Sequence, residues 1–275
     1  AKGLVPAKAI IRGGVTQNGL FDIVDTNVLF RNVQLRDGNG GLGGAFSQKG
    51  GSVNVLNTIL AGNNARAGGA IHLDYGKLHL ENVVMENNSA SVLIWDGEAQ
   101  GGAIFVGEKG IVTLLKSSLS NNAASATTAH SAGGAIFSNG RVDATEVTFY
   151  KNKATGKPLI DDDSVSNGIG GAIAIVGSAA VLKSKRCHFF GNMASTGGGA
   201  IFSSGDIDII DTTGGNNSAL MGSNVRITLS SSFKYINSSF LLDDHTHYVE
   251  SSELISQSGI NEYLTDDHFL EPSRI

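Results

Sequence analysis

Apolar and polar residues alternate in short runs along most of the chain. Val112-Thr113-Leu114 and Val142-Asp143-Ala144 show the pattern, and Ile104-Phe105-Val106 is a short apolar strand of the same kind. Period two marks strands. No helical period separates the runs, so βαβ units are excluded and coils of strand are expected. The runs also return in a fixed order. Gly-Gly-Ala followed by Ile or Phe occurs six times, ending at Phe46, Ile71, Ile104, Ile136, Ile173 and Ile201. Between these copies lies a second motif: a large apolar residue, two variable residues, Asn, one variable residue, Ala. It runs Leu60 to Ala65, Met85 to Ala90, Leu119 to Ala124, Phe149 to Ala154 and Phe189 to Ala194, with an early copy at Leu35 and a degraded one ending at Asn216. Two motifs alternating in step define a repeat protein, and compact units of about 25 residues suit one solenoid coil. The expected fold is all-β, a right-handed parallel β-helix. Residues 1–22 read as a lead-in, 23–239 as about seven to eight coils, and 240–275 as a cap or docking tail.

Both motifs have a physical reason. Gly within a strand costs about 0.5–1 kcal/mol relative to Ala. Repeated glycine pairs therefore imply one residue at positive φ and a place where neighbouring coils leave no room for a side chain. Gly44, Gly69, Gly102, Gly134, Gly171 and Gly199 are the structural turn glycines of this reading. The recurring Asn is expected to stack coil on coil, its amide bonding the next: Asn63, Asn88, Asn122, Asn152, Asn192 and Asn216. The plainer alternative is an Asn that favours turns.

Paired Gly-Gly-Ala-Ile and Phe-x-x-Asn repeats resemble the passenger region of the chlamydial polymorphic outer membrane proteins. Phe149-Tyr150-Lys151-Asn152 and Phe189-Phe190-Gly191-Asn192 fit the second motif fully, while Leu60, Met85 and Leu119 stand for Phe elsewhere. The resemblance spans roughly residues 35 to 220. It implies a right-handed β-helix and a surface role, adhesion. That family also carries a C-terminal β-barrel. The stretch 251–275 shows no ladder of amphipathic barrel strands, so the chain reads as a passenger fragment or a free-standing relative.

Composition supports a folded chain. Gly is high at 37 residues, but Pro is only 3 and apolar residues reach 41%, so the glycines belong to a packed, turn-rich structure. A net charge of −5 gives no phosphate-neutralising surface, and nucleic acid is not an expected partner. Lys183, Lys185 and Arg186 read as a solvated strand face. The single cysteine, Cys187, excludes an intrachain disulfide, and no run of about 20 apolar residues is present to span a membrane as a helix.

The candidate chemistry is sparse. Asp206, Asp208 and Asp211 form the acidic strip that a β-helical polysaccharide lyase or hydrolase would need, or else a solvated face. Asp243, Asp244, His245 and His247 resemble a metal cluster but read better as a polar end cap. No catalytic residue, metal or cofactor is assigned. The informative feature is coil length. The link from each Asn-x-Ala to the next Gly-Gly-Ala is two residues after Ala65, ten after Ala90, eight after Ala124, fifteen after Ala154 and three after Ala194. Three long insertions therefore leave at one corner of consecutive coils, where solenoids usually bind. They carry Trp95, Asp96, Glu98, His130, Leu159, Ile160, Asp161, Asp162 and Asp163. An aromatic and aliphatic patch rimmed by carboxylates suits a protein or glycan partner, with Trp95 as anchor. The expected function is a non-catalytic binding surface, adhesin-like or a scaffold subunit, on or outside the cell. The alternative is the carbohydrate-active enzyme.

Overall fold

Alternation along a strand sends one set of side chains inward, and the repeat stacks that set coil on coil. In the computed structural model this gives a parallel β-helix. It describes residues 8–14, 19–92, 97–127, 129–156, 167–228 and 232–240, and the backbone alone of 247–249. Strands form a 9-stranded, a 14-stranded and a 5-stranded sheet, with a short two-stranded ladder beside them, and the pairings are parallel. Among the described residues there is no helix, and so none long and apolar enough to cross a membrane.

The register explains the motifs. Phe21, Phe46, Ile71, Ile104, Ile136, Ile173, Ile201 and Val225 pair one after another along the 14-stranded sheet. Across the interior, Leu35, Leu60, Met85, Leu119, Phe149 and Phe189 form the facing file. Both files lie in one continuous core. The next position in the second file is Gly214, and the Phe240 ring from the following coil fills the space its side chain would take.

Single left-handed residues turn the chain between sheets. One corner is a column of Asn57, Asn82, Lys116, Glu146, Arg186, Asp211 and Asn237, with φ between 46° and 57°. The next corner holds Asp37, Gly62, Asn87, Asn121, Lys151, Gly191 and Asn216. Asn, Asp and Gly tolerate this region best, which accounts for much of the turn chemistry in the sequence.

The third corner is the glycine pair, and its two members do different work. The first residue of each pair, such as Gly133 with φ 65°, takes the left-handed conformation. Neither has room for a side chain: a Cβ on Gly133 would run into the Ile136 carbonyl oxygen of its own turn, and one on Gly134 would lie 2.5 Å from the Lys153 amide nitrogen in the next coil. The turn conformation thus sits one residue before the glycines named from the sequence.

The Asn file lies just inside the second corner. Asn63 Nδ2 donates to Asn88 Oδ1 at 2.9 Å, and the same link joins Asn88 to Asn122, Asn122 to Asn152, Asn152 to Asn192 and Asn192 to Asn217, each at 3.0 Å. Each Nδ2 also donates to a carbonyl of the preceding coil, as Asn152 does to Leu119. Each Oδ1 accepts a backbone N–H as well, as Asn152 does from Asn122. The sixth member is Asn217, correcting the sequence reading of Asn216. With Gly214 in the apolar position, Asn217-Ser218-Ala219 carries the motif, and Asn216 is the exposed left-handed corner residue before it.

Candidate partner-binding face

The three insertions rise from stems that the solenoid holds on consecutive coils. On the outgoing side, Ser89–Val92 pairs with Ala123–Ala126, which pairs with Lys153–Thr155. On the returning side, Ala99–Gln100 pairs with Ser131–Ala132, and Ala132 bridges to Ile169. The insertions therefore leave side by side and return side by side.

Two apolar clusters outside the main core anchor these stems. Ala90, Ala99, Ala124 and Ala126 pack together, with Val92 and Ala129 against them. The second cluster is a seam that sequence reasoning did not find. Outward residues just after each glycine corner form a file: Ser47, His72, Phe105, Phe137, Ala174, Phe202 and Arg226. The returning stems form a second file: Leu42, Ala67, Gln100, Ala132, Ile169, Gly197 and Met221. Phe137, Ala174 and Phe202 pack with Ala132 and Ile169. Sizes compensate at three adjacent levels of the seam. Ala132 lies five residues before Phe137, Ile169 before Ala174, and Gly197 before Phe202. The only sequence signal for the seam is that inverse size relation at a five-residue spacing.

His72 closes one end of this seam. Its ring stacks on Phe105 with centroids 4.5 Å apart and planes within 4°, and Phe105 in turn stacks on Phe137 at 5.5 Å. Burial lowers its pKa from 6.5 to about 4, so the ring is neutral at ordinary pH.

Of the candidate partner-binding residues, Trp95, Asp96, Leu159, Ile160, Asp161, Asp162 and Asp163 lie outside the described residues. Glu98 is exposed and accepts a hydrogen bond from Gln100 Nε2 at 2.5 Å. His130 is half-buried, and its carbonyl accepts the Ala99 N–H. These two therefore sit on neighbouring returning stems.

The acidic strip is committed to structure. Asp208 pairs with Lys183 at 3.9 Å, Asp206 accepts the Ser232 N–H at 3.0 Å, and Asp211 accepts from Asn237 Nδ2 at 2.8 Å. Cys187 is buried, and burial pushes its thiol pKa up. No three His, Cys, Asp or Glu residues are placed to hold a metal among the described residues. Asp243, Asp244 and His245, and the His247 side chain, fall outside them.

Residues 186–204 match the Chlamydia polymorphic membrane protein repeat. The chain carries this repeat. The matched segment holds Phe189-Phe190-Gly191-Asn192 and Gly198-Gly199-Ala200-Ile201 with three residues between Ala194 and Gly198. The other full Phe-x-x-Asn copy, at Phe149, is parted from its glycine corner by the fifteen-residue insertion. The matched segment thus holds one core Phe, one stacked Asn and one glycine corner of the solenoid. Comparison with curated proteins and with solved structures gave no match.

Proposed function

We propose that this chain is a non-catalytic β-helix that presents its insertion face to a protein or glycan partner at or outside the cell surface. It would act as an adhesin-like passenger or as a scaffold subunit. The observation that supports this reading is the stacking of the insertion stems on consecutive coils, the first two insertions held by the alanine cluster and the returning stems of the second and third by the phenylalanine seam. Rigid stems present loops in a fixed arrangement, which lowers the ordering cost of binding. The repeat is that of a membrane protein family of Chlamydia, and a surface location agrees with it. The test is a double variant, Trp95→Ala with residues 157–163 removed. Partner capture from surface extracts should be lost, while the circular dichroism spectrum keeps its β character. Undiminished capture would place the function elsewhere on the molecule.

A further inference from the structure

The outer face of the 9-stranded sheet brings together exposed rings and a cluster of cations. Arg141 pairs with Asp143 and Lys183 with Asp208 on the 14-stranded sheet, and Arg36 pairs with Glu86 farther along the 9-stranded sheet. On this face, two aromatic side chains stand side by side on adjacent coils. Tyr150 is 41% exposed, and its partner in register is the half-buried Phe190. The same outward file continues as Ser120 on one side and Gly215 on the other, so no large side chain screens the pair. Thr148, His188 and Thr213 form the neighbouring outward file, with His188 Nδ1 and Thr213 Oγ1 2.7 Å apart.

Cations border these rings on both sides. Lys116, Lys185 and Arg186 lie along the corner before the sheet, and Lys151 and Lys153 along the corner after it. All five are exposed. Three carboxylates border the group, and each has a partner: Glu146 takes Arg186 at 2.8 Å, Asp211 accepts from Asn237, and Glu86, next to Ser120 in the outward file, pairs with Arg36. The four lysines have no ion pair among the described residues. Lys151 Nζ instead lies 4.9 Å from the centre of the Tyr150 ring. A chain of net charge −5 thus keeps a local excess of positive charge around two exposed rings. Exposed rings recognise the C–H faces of sugars by stacking, and lysines recognise anionic substituents as point charges.

We propose that this face binds an acidic polysaccharide, one whose sugar rings carry sulfate or carboxylate groups. The rings of Tyr150 and Phe190 take the sugar faces, and Lys151, Lys153 and Lys116 take the anionic groups. Small hydroxyls at Ser120, Thr148 and Thr213 leave the surface flat enough for an extended chain. The rings lie on the 9-stranded sheet, before the corner, and only Lys153 belongs to an insertion stem, at its first residue.

The test is equilibrium binding of the full chain to dextran sulfate, with neutral dextran, inorganic polyphosphate and phosphatidylserine vesicles as comparisons. Dextran sulfate should bind saturably and neutral dextran should not. Raising salt from about 0.15 M to about 1 M should weaken binding. Tyr150→Ala, Phe190→Ala and the pair Lys151→Gln with Lys153→Gln should each lower affinity by about tenfold or more. Tyr150→Phe, which keeps the ring, should retain binding. Tyr150→Leu keeps apolar bulk and should lose binding with an unchanged unfolding midpoint, which separates ring loss from misfolding. Trimming residues 157–163 should leave dextran sulfate binding intact. The proposal is overturned if dextran sulfate does not bind, if polyphosphate or vesicles bind as tightly, if the ring variants bind normally, or if trimming the insertion removes binding.

Discussion

The Asn152 side chain takes part in four hydrogen bonds in a fully buried site, two accepted from Asn122 and one donated to each of Leu119 and Asn192. Each buried polar group left without a partner costs about 1–3 kcal/mol, so Asn152→Ala should destabilise the fold by about 3 kcal/mol or more. Asn121→Ala next to it is the control. Asn121 sits at φ 53° on the exposed corner, where only the left-handed conformation is at stake, and about 1 kcal/mol is expected. Urea unfolding midpoints of the two variants separate a ladder from a turn preference. His72 supplies a second prediction. Its folded pKa of about 4 lies below the ordinary 6.5, so the unfolded chain binds a proton that the folded chain refuses. Its contribution is therefore complete above pH 6.5 and falls as pH drops toward about 4. The full loss is up to about 3 kcal/mol, and His72→Phe should flatten the acid limb of stability, measured from thermal midpoints between about pH 7 and 4.5. The Asn file was legible in the sequence because each amide follows a large apolar residue at fixed spacing. That signal failed at Asn217, where Gly214 replaces the apolar marker and the Phe240 ring takes over its space. His72 gave no signal at all, since its neighbour Phe105 lies in another coil, 33 residues away.

Among the elements, two turn glycines separate costs that sequence alone merges: Gly177, just after the strand Ile173–Ile175, and Gly134 at the glycine corner. Gly177 has φ 104° with nothing within 4 Å of an added Cβ, so Gly177→Ala brings strain without a clash. About 1–3 kcal/mol is expected. Gly134→Ala brings a clash without that strain, because the new methyl would press on the Lys153 backbone of the next coil. The coils cannot part there without breaking their ladder, and a loss of about 4 kcal/mol or more is expected. Denaturant unfolding of both variants decides the order. The sequence marked the corner correctly, since pairs of glycines have few other uses. It did not show which glycine turns, or that the second meets the backbone of a neighbouring coil while the first meets its own turn. The outer seam was hidden for a related reason. Phe137 and Phe202 read as strand residues of no special kind until Ala132 and Gly197 are seen to return beside them.

For the whole molecule, the coil order and the common corner of the insertions followed from the repeat, whereas the chemistry of the faces did not. The solvated reading of Lys183 and Arg186 fits their pairing with Asp208 and Glu146, yet Lys151 and Lys153 stand at variable positions of the second motif and gained meaning only beside Tyr150 and Phe190. The far end of the Asn file was equally unmarked. In the last coil, Gly-Gly-Ala is replaced by Gly222-Ser223-Asn224, and Asn224 Oδ1 accepts from Asn217 Nδ2 at 2.8 Å. Asn224→Ala should leave that N–H unpaired, costing about 1–3 kcal/mol. In a solenoid the damage stays near its source, so hydrogen exchange should quicken around Val225–Ile227 and remain slow in the coils of Phe46–Leu56. The file also has a direction. All six side-chain links, from Asn63 through Asn217 to Asn224, donate toward the C-terminal coil. Amide dipoles aligned this way add rather than cancel, each about 3.5 D for a peptide-like group. The Asn file thus has a positive end at Asn224, where an anionic group brought close would be favoured and a cationic one disfavoured.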